Sequence, residues 1–187
     1  MHETCLPEIF KTTERMLVLD YVSTRDSAVT ATDVIRETGA SKGFVSQYLH
    51  LLVRAGLLAK EKRVYQWQKT AEAVAIRRLM NIELLTTVID HLPEWADGIG
   101  VYGSFASGTN TITSDIDIWV LLPTYAMESE LLIAQLEKKI RTSTGYETHI
   151  LILTEEKLSH LKDHDAPFYS GLTATSLTIR GESLVSD

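Results

Sequence analysis

Two aspartates, Asp115 and Asp117, open an apolar run that continues to Leu122. Successive side chains of a strand point to opposite faces, so the two carboxylates share one face while Ile116 and Ile118 take the other. Two carboxylates held this close repel each other unless a hard divalent cation lies between them. Mg²⁺ or Mn²⁺ accepts oxygen ligands of this kind. Upstream, Gly103 and Ser104 interrupt a first apolar run, Ile99 to Tyr102. Gly103 lacks the Cβ where a phosphate would approach the backbone. Ser104 offers a hydroxyl, and the N–H groups of a short following helix would point at the anion. Ser114 adds a hydroxyl beside the first aspartate. A phosphate cradle next to a carboxylate pair is equipment for phosphoryl or nucleotidyl transfer from a nucleoside triphosphate.

The elements that must hold these residues follow from the pattern. Ile99–Tyr102 and Asp115–Leu122 read as strands around a short helical segment. Tyr125 to Thr142 reads as an amphipathic helix, with Leu131, Leu132, Leu136 and Ile140 facing the sheet. Glu147–Leu153 is a third strand. Thr154 caps the next helix, Asp165–Gly171 is helical or a turn, and Ser176–Arg180 is a short final strand. The order β-α-β-α-β-α-β predicts an α/β or α+β domain with a small mixed sheet.

Tyr102-Gly103-Ser104, a ten-residue spacer and Asp115-Ile116-Asp117-Ile118 together resemble the DNA polymerase β-like nucleotidyltransferase superfamily, in particular its minimal members. The resemblance covers about residues 95–181. It implies that Asp115 and Asp117 ligate Mg²⁺ or Mn²⁺ and that Gly103 and Ser104, assisted by Ser114, hold the phosphates of a nucleoside triphosphate donor. Active members place a third carboxylate on the next strand, as metal ligand and base. Here His149 stands nearest that position, with Glu147 two residues earlier and expected on the same face. Either could activate the acceptor, although an imidazole is a poor Mg²⁺ ligand; the alternative is that His149 is only a polar residue at the mouth of the strand. A second departure is Ser107, where small members often carry an Arg. Both departures weaken triphosphate binding or turnover without touching the fold.

The first part of the chain has a different character. Residues 7–24 read as a helix begun by Pro7, Thr30–Thr38 as a second helix capped by Thr30 or Thr32 and ended by Gly39, and the stretch from Ser41 to Gly56 as a third. Val45, Leu49 and Leu52 form its apolar stripe. Residues 57–59 and 64–67 flank a charged turn and read as a hairpin. Three helices and a hairpin make a helix-turn-helix with a wing. The stretch SKGFVSQYLHLLVRAGLL resembles the recognition helix and first wing strand of ArsR- and MarR-type regulators. Its outward side carries Ser41, Lys42, Gly43, Ser46, Gln47 and His50, small polar groups and an amide suited to base edges, with Lys42 suited to phosphate. Arg63, together with Lys60 and Lys62, would set the wing against the DNA backbone. The other reading is a protein-binding winged helix.

Charge divides the chain the same way. The net charge of −7 is the sum of about +2 over residues 1–70 and about −9 over the remainder, which suggests two domains with different partners. The expected division is 1–69 for the DNA-binding domain, 70–93 for a linking and dimerising helix, and 94–187 for the nucleotidyltransferase-like domain. The linking helix, Thr70 to Leu92, is more apolar than one docking face needs, which suggests a homodimer. A lone Cys5 allows no internal disulfide. No run is apolar enough for a membrane span, and the first residues lack a signal-peptide pattern, so a cytoplasmic protein is expected. Two readings of function follow. One is a DNA-binding protein with a metal-dependent domain that transfers a nucleoside monophosphate from NTP to an acceptor. The other is a transcriptional regulator whose second domain only binds a nucleotide or a partner protein. The resemblance adds a third, an antitoxin that modifies a partner toxin.

Overall fold

The computed structural model describes residues 6–184, so Cys5 lies outside the described residues. The chain divides into two compact units, Met1–Arg77 and Arg78–Asp187.

In the first unit, two helices, α1 (Leu6–Ile9) and α2 (Thr13–Ser23), replace the single helix expected over residues 7–24. Thr12 explains the break: its backbone is extended, and its hydroxyl accepts the Arg15 N–H as the N-cap of α2. A two-residue strand, β1 (Val29–Thr30), leads into α3 (Ala31–Thr38). Thr30 and Asp33 form a reciprocal capping box, whose hydrogen bonds hold the Asp33 carboxyl below the usual carboxylate range. Gly39, at φ 69°, ends that helix in the left-handed region. Ser41 caps α4 (Lys42–Arg54), which buries Val45, Tyr48, Leu49 and Leu52. This is the i, i+3, i+4, i+7 stripe of a helix with one core face. The hairpin of β2 (Leu58–Glu61) and β3 (Val64–Trp67) turns through Lys62 and Arg63. β1 pairs with β3, giving a three-stranded sheet in the order β1-β3-β2. The sequence pattern contained the wing but not this third strand, because two residues carry no periodicity.

α5 (Ala71–Val88) runs across the division between the units. It stops short of the expected Leu92. Thr86, Thr87, Val88 and Ile89 form a β-branched run that helices disfavour, and Arg180 donates to the Thr86 carbonyl at 2.8 Å. Much of its apolar surface is used within the chain: Ala73, Ile76, Leu85 and Val88 are buried, and Leu79 is left exposed. In the first unit Arg77, only 2% exposed, donates to Asp20 at 2.6 Å and to Ser23 at 3.2 Å. A guanidinium so far from water needs such partners.

The second unit is built on a four-stranded mixed sheet in the order β6-β5-β4-β7. Its elements in chain order are β4 (Gly98–Tyr102), α6 (Gly103–Ser107), β5 (Ile116–Leu121), α7 (Met127–Thr144), β6 (Thr148–Leu153), α8 (Glu155–His164), α9 (Ala166–Thr175) and β7 (Leu177–Gly181). β5 and β6 run parallel, and the other neighbours are antiparallel. One face packs Ile99, Val101, Ile116, Ile118 and Val120 against Leu85, Ile133, Leu136 and Ile140. Leu131, expected on that inner face, is instead 65% exposed, and Ile133 takes its place. At 100° per residue Leu131 falls on the side of the helix opposite Leu136 and Ile140, while Ile133 falls on their side. The opposite face carries Trp119, Leu121 and Leu153, joined by Leu172 of α9. Gly100 makes room for Trp119, since a Cβ there would overlap the indole ring. Among the described residues no helix is long and apolar enough to cross a membrane.

Candidate active site and nucleic-acid interface

The register of three strands assembles the site. Tyr102 of β4 lies opposite Asp117 of β5, and Asp117 lies beside His149 of β6. Register partners share a face, so these side chains form one row across the sheet, on the side of Trp119 and away from α7. Asp115 sits one residue before β5, with its Oδ2 3.4 Å from His149 Nε2. Burial raises the Asp117 carboxyl above the usual carboxylate range; His149 opposes that rise and Asp115 adds to it. A desolvated carboxylate beside a second carboxylate is poised to accept a cation, which relieves both penalties.

Gly103 begins α6 directly against this row. Its φ is 66°, and a Cβ there would overlap the Asp117 carboxylate. The expected reason for glycine was the approach of a phosphate; the geometry adds the room that Asp117 itself requires. Gly103→Ala should therefore act twice. Left-handed backbone costs an L-residue about 1–2 kcal/mol, and Asp117 must also move. Chemical denaturation should show a loss of about that size or more, and calorimetry a larger loss of metal-dependent nucleotide binding.

Ser104 follows in α6 and is partly exposed. Ser107 donates to the Ser104 carbonyl at 3.1 Å and shares a hydrogen bond with Thr109 at 2.9 Å, so it closes the short helix and brings no positive charge. The Ser114 hydroxyl accepts the Thr111 N–H at 2.9 Å, which closes the turn leading to Asp115. Glu147 lies one residue before β6; its backbone carbonyl accepts the Ile116 N–H at 2.8 Å, and its carboxylate is 3.7 Å from Arg141 of α7. Both partners are half exposed or more, so this pair is weak. Gly103, Asp115, Asp117 and His149 are thus brought together, while Ser114 and Glu147 are engaged elsewhere. Tyr102 was missed as a member of the row; its position just before the Gly-Ser turn was the available signal.

The donor set fits Mg²⁺ or Mn²⁺ only in part. Among the described residues no group of three or more His, Cys, Asp or Glu side chains is arranged to hold a metal ion. Two carboxylates suffice for a cation that takes its remaining ligands from water and substrate phosphates, which is how Mg²⁺ is commonly bound.

In the first unit Ser41, Lys42, Gly43, Ser46, Gln47 and His50 of the α4 region are all exposed, as is Arg63 at the hairpin turn. Two of these groups have local duties. The Ser41 hydroxyl accepts the Phe44 N–H, and His50 Nε2 lies 3.1 Å from the Lys60 ammonium, which ties the recognition helix to the wing. Lys60 is thereby drawn away from the wing tip, where Lys62 and Arg63 remain. A groove of about 480 Å³ runs beside α4, lined in part by Arg15, Gln47, His50 and Arg54. Arg54 is a cation on this side that the sequence pattern did not single out, because it falls in the last turn of the helix where it reads as a dipole partner.

Residues 83–166 match the nucleotidyltransferase domain family, and residues 16–62 match the IclR helix-turn-helix domain family. The helix-turn-helix match is thus to the IclR family rather than to the ArsR or MarR type expected. A crystal structure described as a "putative nucleotidyltransferase" from Sulfolobus solfataricus is 13% identical, over 59% of this chain and 89% of its own, with a TM-score of 0.35. No curated protein matches the chain.

Proposed function

For a chain that carries a nucleotidyltransferase-like domain after an IclR-type helix-turn-helix domain, we propose a DNA-binding protein whose second domain transfers a nucleoside monophosphate from an NTP to an acceptor hydroxyl. The observation that carries this reading is the row Tyr102–Asp117–His149 with Asp115 3.4 Å from His149 and Gly103 packed on Asp117. Asp115 and Asp117 would hold Mg²⁺ or Mn²⁺, which supplies charge neutralisation on the triphosphate. Gly103 leaves its backbone accessible and Ser104 its hydroxyl for the phosphates, while Ser114 shapes the loop. His149 acts as the base. Its Nε2 faces Asp115, and Nδ1 takes the proton as the acceptor O–H bond breaks. The acceptor oxygen then bonds the α-phosphorus, and pyrophosphate leaves. Incubation with labelled NTPs, Mg²⁺ or Mn²⁺ and cell extract, scored for transfer and pyrophosphate, tests it; absence of transfer to any acceptor would overturn it.

A second reading has its own support. Glu147 lies 3.7 Å from Arg141, and among the described residues no group of three or more His, Cys, Asp or Glu side chains is arranged to hold a metal ion. In this reading the domain binds nucleotide without turnover and the chain is a regulator.

Both readings share the DNA interface. Gln47→Ala should relax sequence preference by about 1–3 kcal/mol at the base it contacts. Lys42→Ala and Arg63→Ala should weaken binding to all sequences and each reduce the salt slope by about 1. Mobility shifts over a salt series read both effects. No binding of genomic fragments at low salt would assign the winged helix to protein contacts.

A further inference from the structure

Behind the row of functional side chains lies one amide that no function has yet claimed. Asn81 sits on α5 within the second unit and is 1% exposed. Its Nδ2 donates to the Phe105 carbonyl at 2.8 Å and to Asn110 Oδ1 at 2.7 Å. Phe105 belongs to α6, and Asn110 to the loop that connects α6 with Asp115. Asn110 is itself 2% exposed.

These two partners are the places where the site most needs support. A helix of five residues cannot satisfy its own last carbonyls. The Gly108 and Thr109 N–H groups and the Ser107 hydroxyl all converge on the Ser104 carbonyl, and Asn81 takes the next carbonyl, that of Phe105. The loop from Gly108 to Ser114 also carries short-range contacts: hydroxyl pairs among Ser107, Thr109, Thr111 and Thr113, and a turn closed by Thr111 N–H to Ser114 Oγ and Ser114 N–H to the Thr111 carbonyl. Meanwhile Asn81 Oδ1 is buried without a partner among the described residues. An apolar residue here would leave the Phe105 carbonyl and the buried Asn110 Oδ1 without this donor, so the amide is matched to α6 and to the loop rather than to its own helix.

We propose that Asn81 is a positioning residue for the nucleotide site: one buried amide holds the Gly103–Ser104 turn and the loop to Asp115 at a fixed separation. The phosphate-binding turn and the carboxylates must meet the same triphosphate, so a loosened loop costs affinity even when every contacting side chain is present. The inference rests on the reading of Gly103, Ser104, Asp115 and Asp117 as the nucleotide and metal site.

The test compares the full chain with Asn81→Leu, which keeps bulk and removes both hydrogen bonds. Titration with each nucleoside triphosphate in MnCl₂ should show affinity about 10–100-fold weaker, the usual effect of losing a supporting partner. Amide hydrogen exchange should accelerate over residues 104–114 while β4 and β5 keep their protection. A merely structural role would raise exchange throughout the unit and leave the affinity of the folded protein unchanged; that result overturns the proposal, as does wild-type exchange over residues 104–114. If Asn81→Leu does not fold, Asn110→Ala is read in the same two ways, and the outcome required is again local. If wild type binds no nucleotide, the reading of the site fails, and the exchange pattern still decides whether Asn81 positions this loop.

Discussion

Replacing Asp115 and Asp117 together by Ala is expected to abolish metal-dependent nucleotide binding while leaving the fold intact or firmer. The double variant removes the carboxylates the protein offers the cation at this row. The charge stabilisation a bound metal supplies is worth several kcal/mol, so a drop of at least about a hundredfold in nucleotide affinity follows. Stability should move the other way. Burial raises the Asp117 carboxyl, and Asp115 adds to the rise. A carboxyl whose folded pKa lies above its unfolded value favours folding when protonated, and that advantage is lost as pH rises through the unfolded and then the folded pKa. At neutral pH the ionised Asp117 therefore costs stability, and Asp117→Ala removes the cost. Below the carboxylate range the difference should vanish. Calorimetric titration with MnCl₂ and nucleotide measures the first effect, and urea denaturation at neutral and acid pH the second. Equal nucleotide binding by the double variant would remove the metal-site reading. A loss of stability at neutral pH would mean that the pair serves the fold.

The parts of this protein that sequence made legible are those set by local chemistry. Thr30, Ser41 and Thr154 each cap the helix expected of them, because an extended residue with a short hydroxyl accepts a nearby N–H whatever the tertiary context. The shared face of Asp117 and His149 followed from alternation and parallel register. What escaped was decided by packing between elements. Glu147 lies outside its strand and meets Arg141 of α7. His50 and Lys60 meet only once helix and wing are folded. Leu131 is as apolar as Leu136, yet helical phase relative to the sheet sends one out and the other in. Asn81 is a polar residue in an apolar helix that the sequence pattern did not single out, and nothing in its neighbours signals Phe105 or Asn110. Local motifs thus drew attention to the row, while its supports became visible only in three dimensions.

The second large effect concerns turnover and separates binding from chemistry. In the proposed reading Asp115 and Asp117 position a triphosphate, but transfer also needs an acceptor hydroxyl relieved of its proton in line with the α-phosphate. His149 is the side chain of β6 in that row, 3.4 Å from Asp115 and 66% exposed, so an acceptor arriving from solvent can reach it. General-base catalysis contributes about 10²–10⁴-fold. His149→Ala should therefore lower the transfer rate by that order while nucleotide affinity stays near wild type. Glu147→Gln should change little, because its carboxylate is turned to Arg141. If Glu147→Gln abolishes transfer and His149→Ala does not, the two roles are exchanged and the Arg141 pair must open during turnover. His149→Asp is the converse experiment. A carboxylate beside Asp117 adds a hard oxygen ligand as well as a base, so a gain in Mg²⁺-supported transfer would identify the imidazole as the group limiting the wild-type enzyme. A His149→Asp variant that binds nucleotide but transfers nothing would place the limitation at α6. There Ser107 closes the helix on its own backbone and adds no positive charge to the site. Ser107→Arg in that background would then be expected to restore transfer.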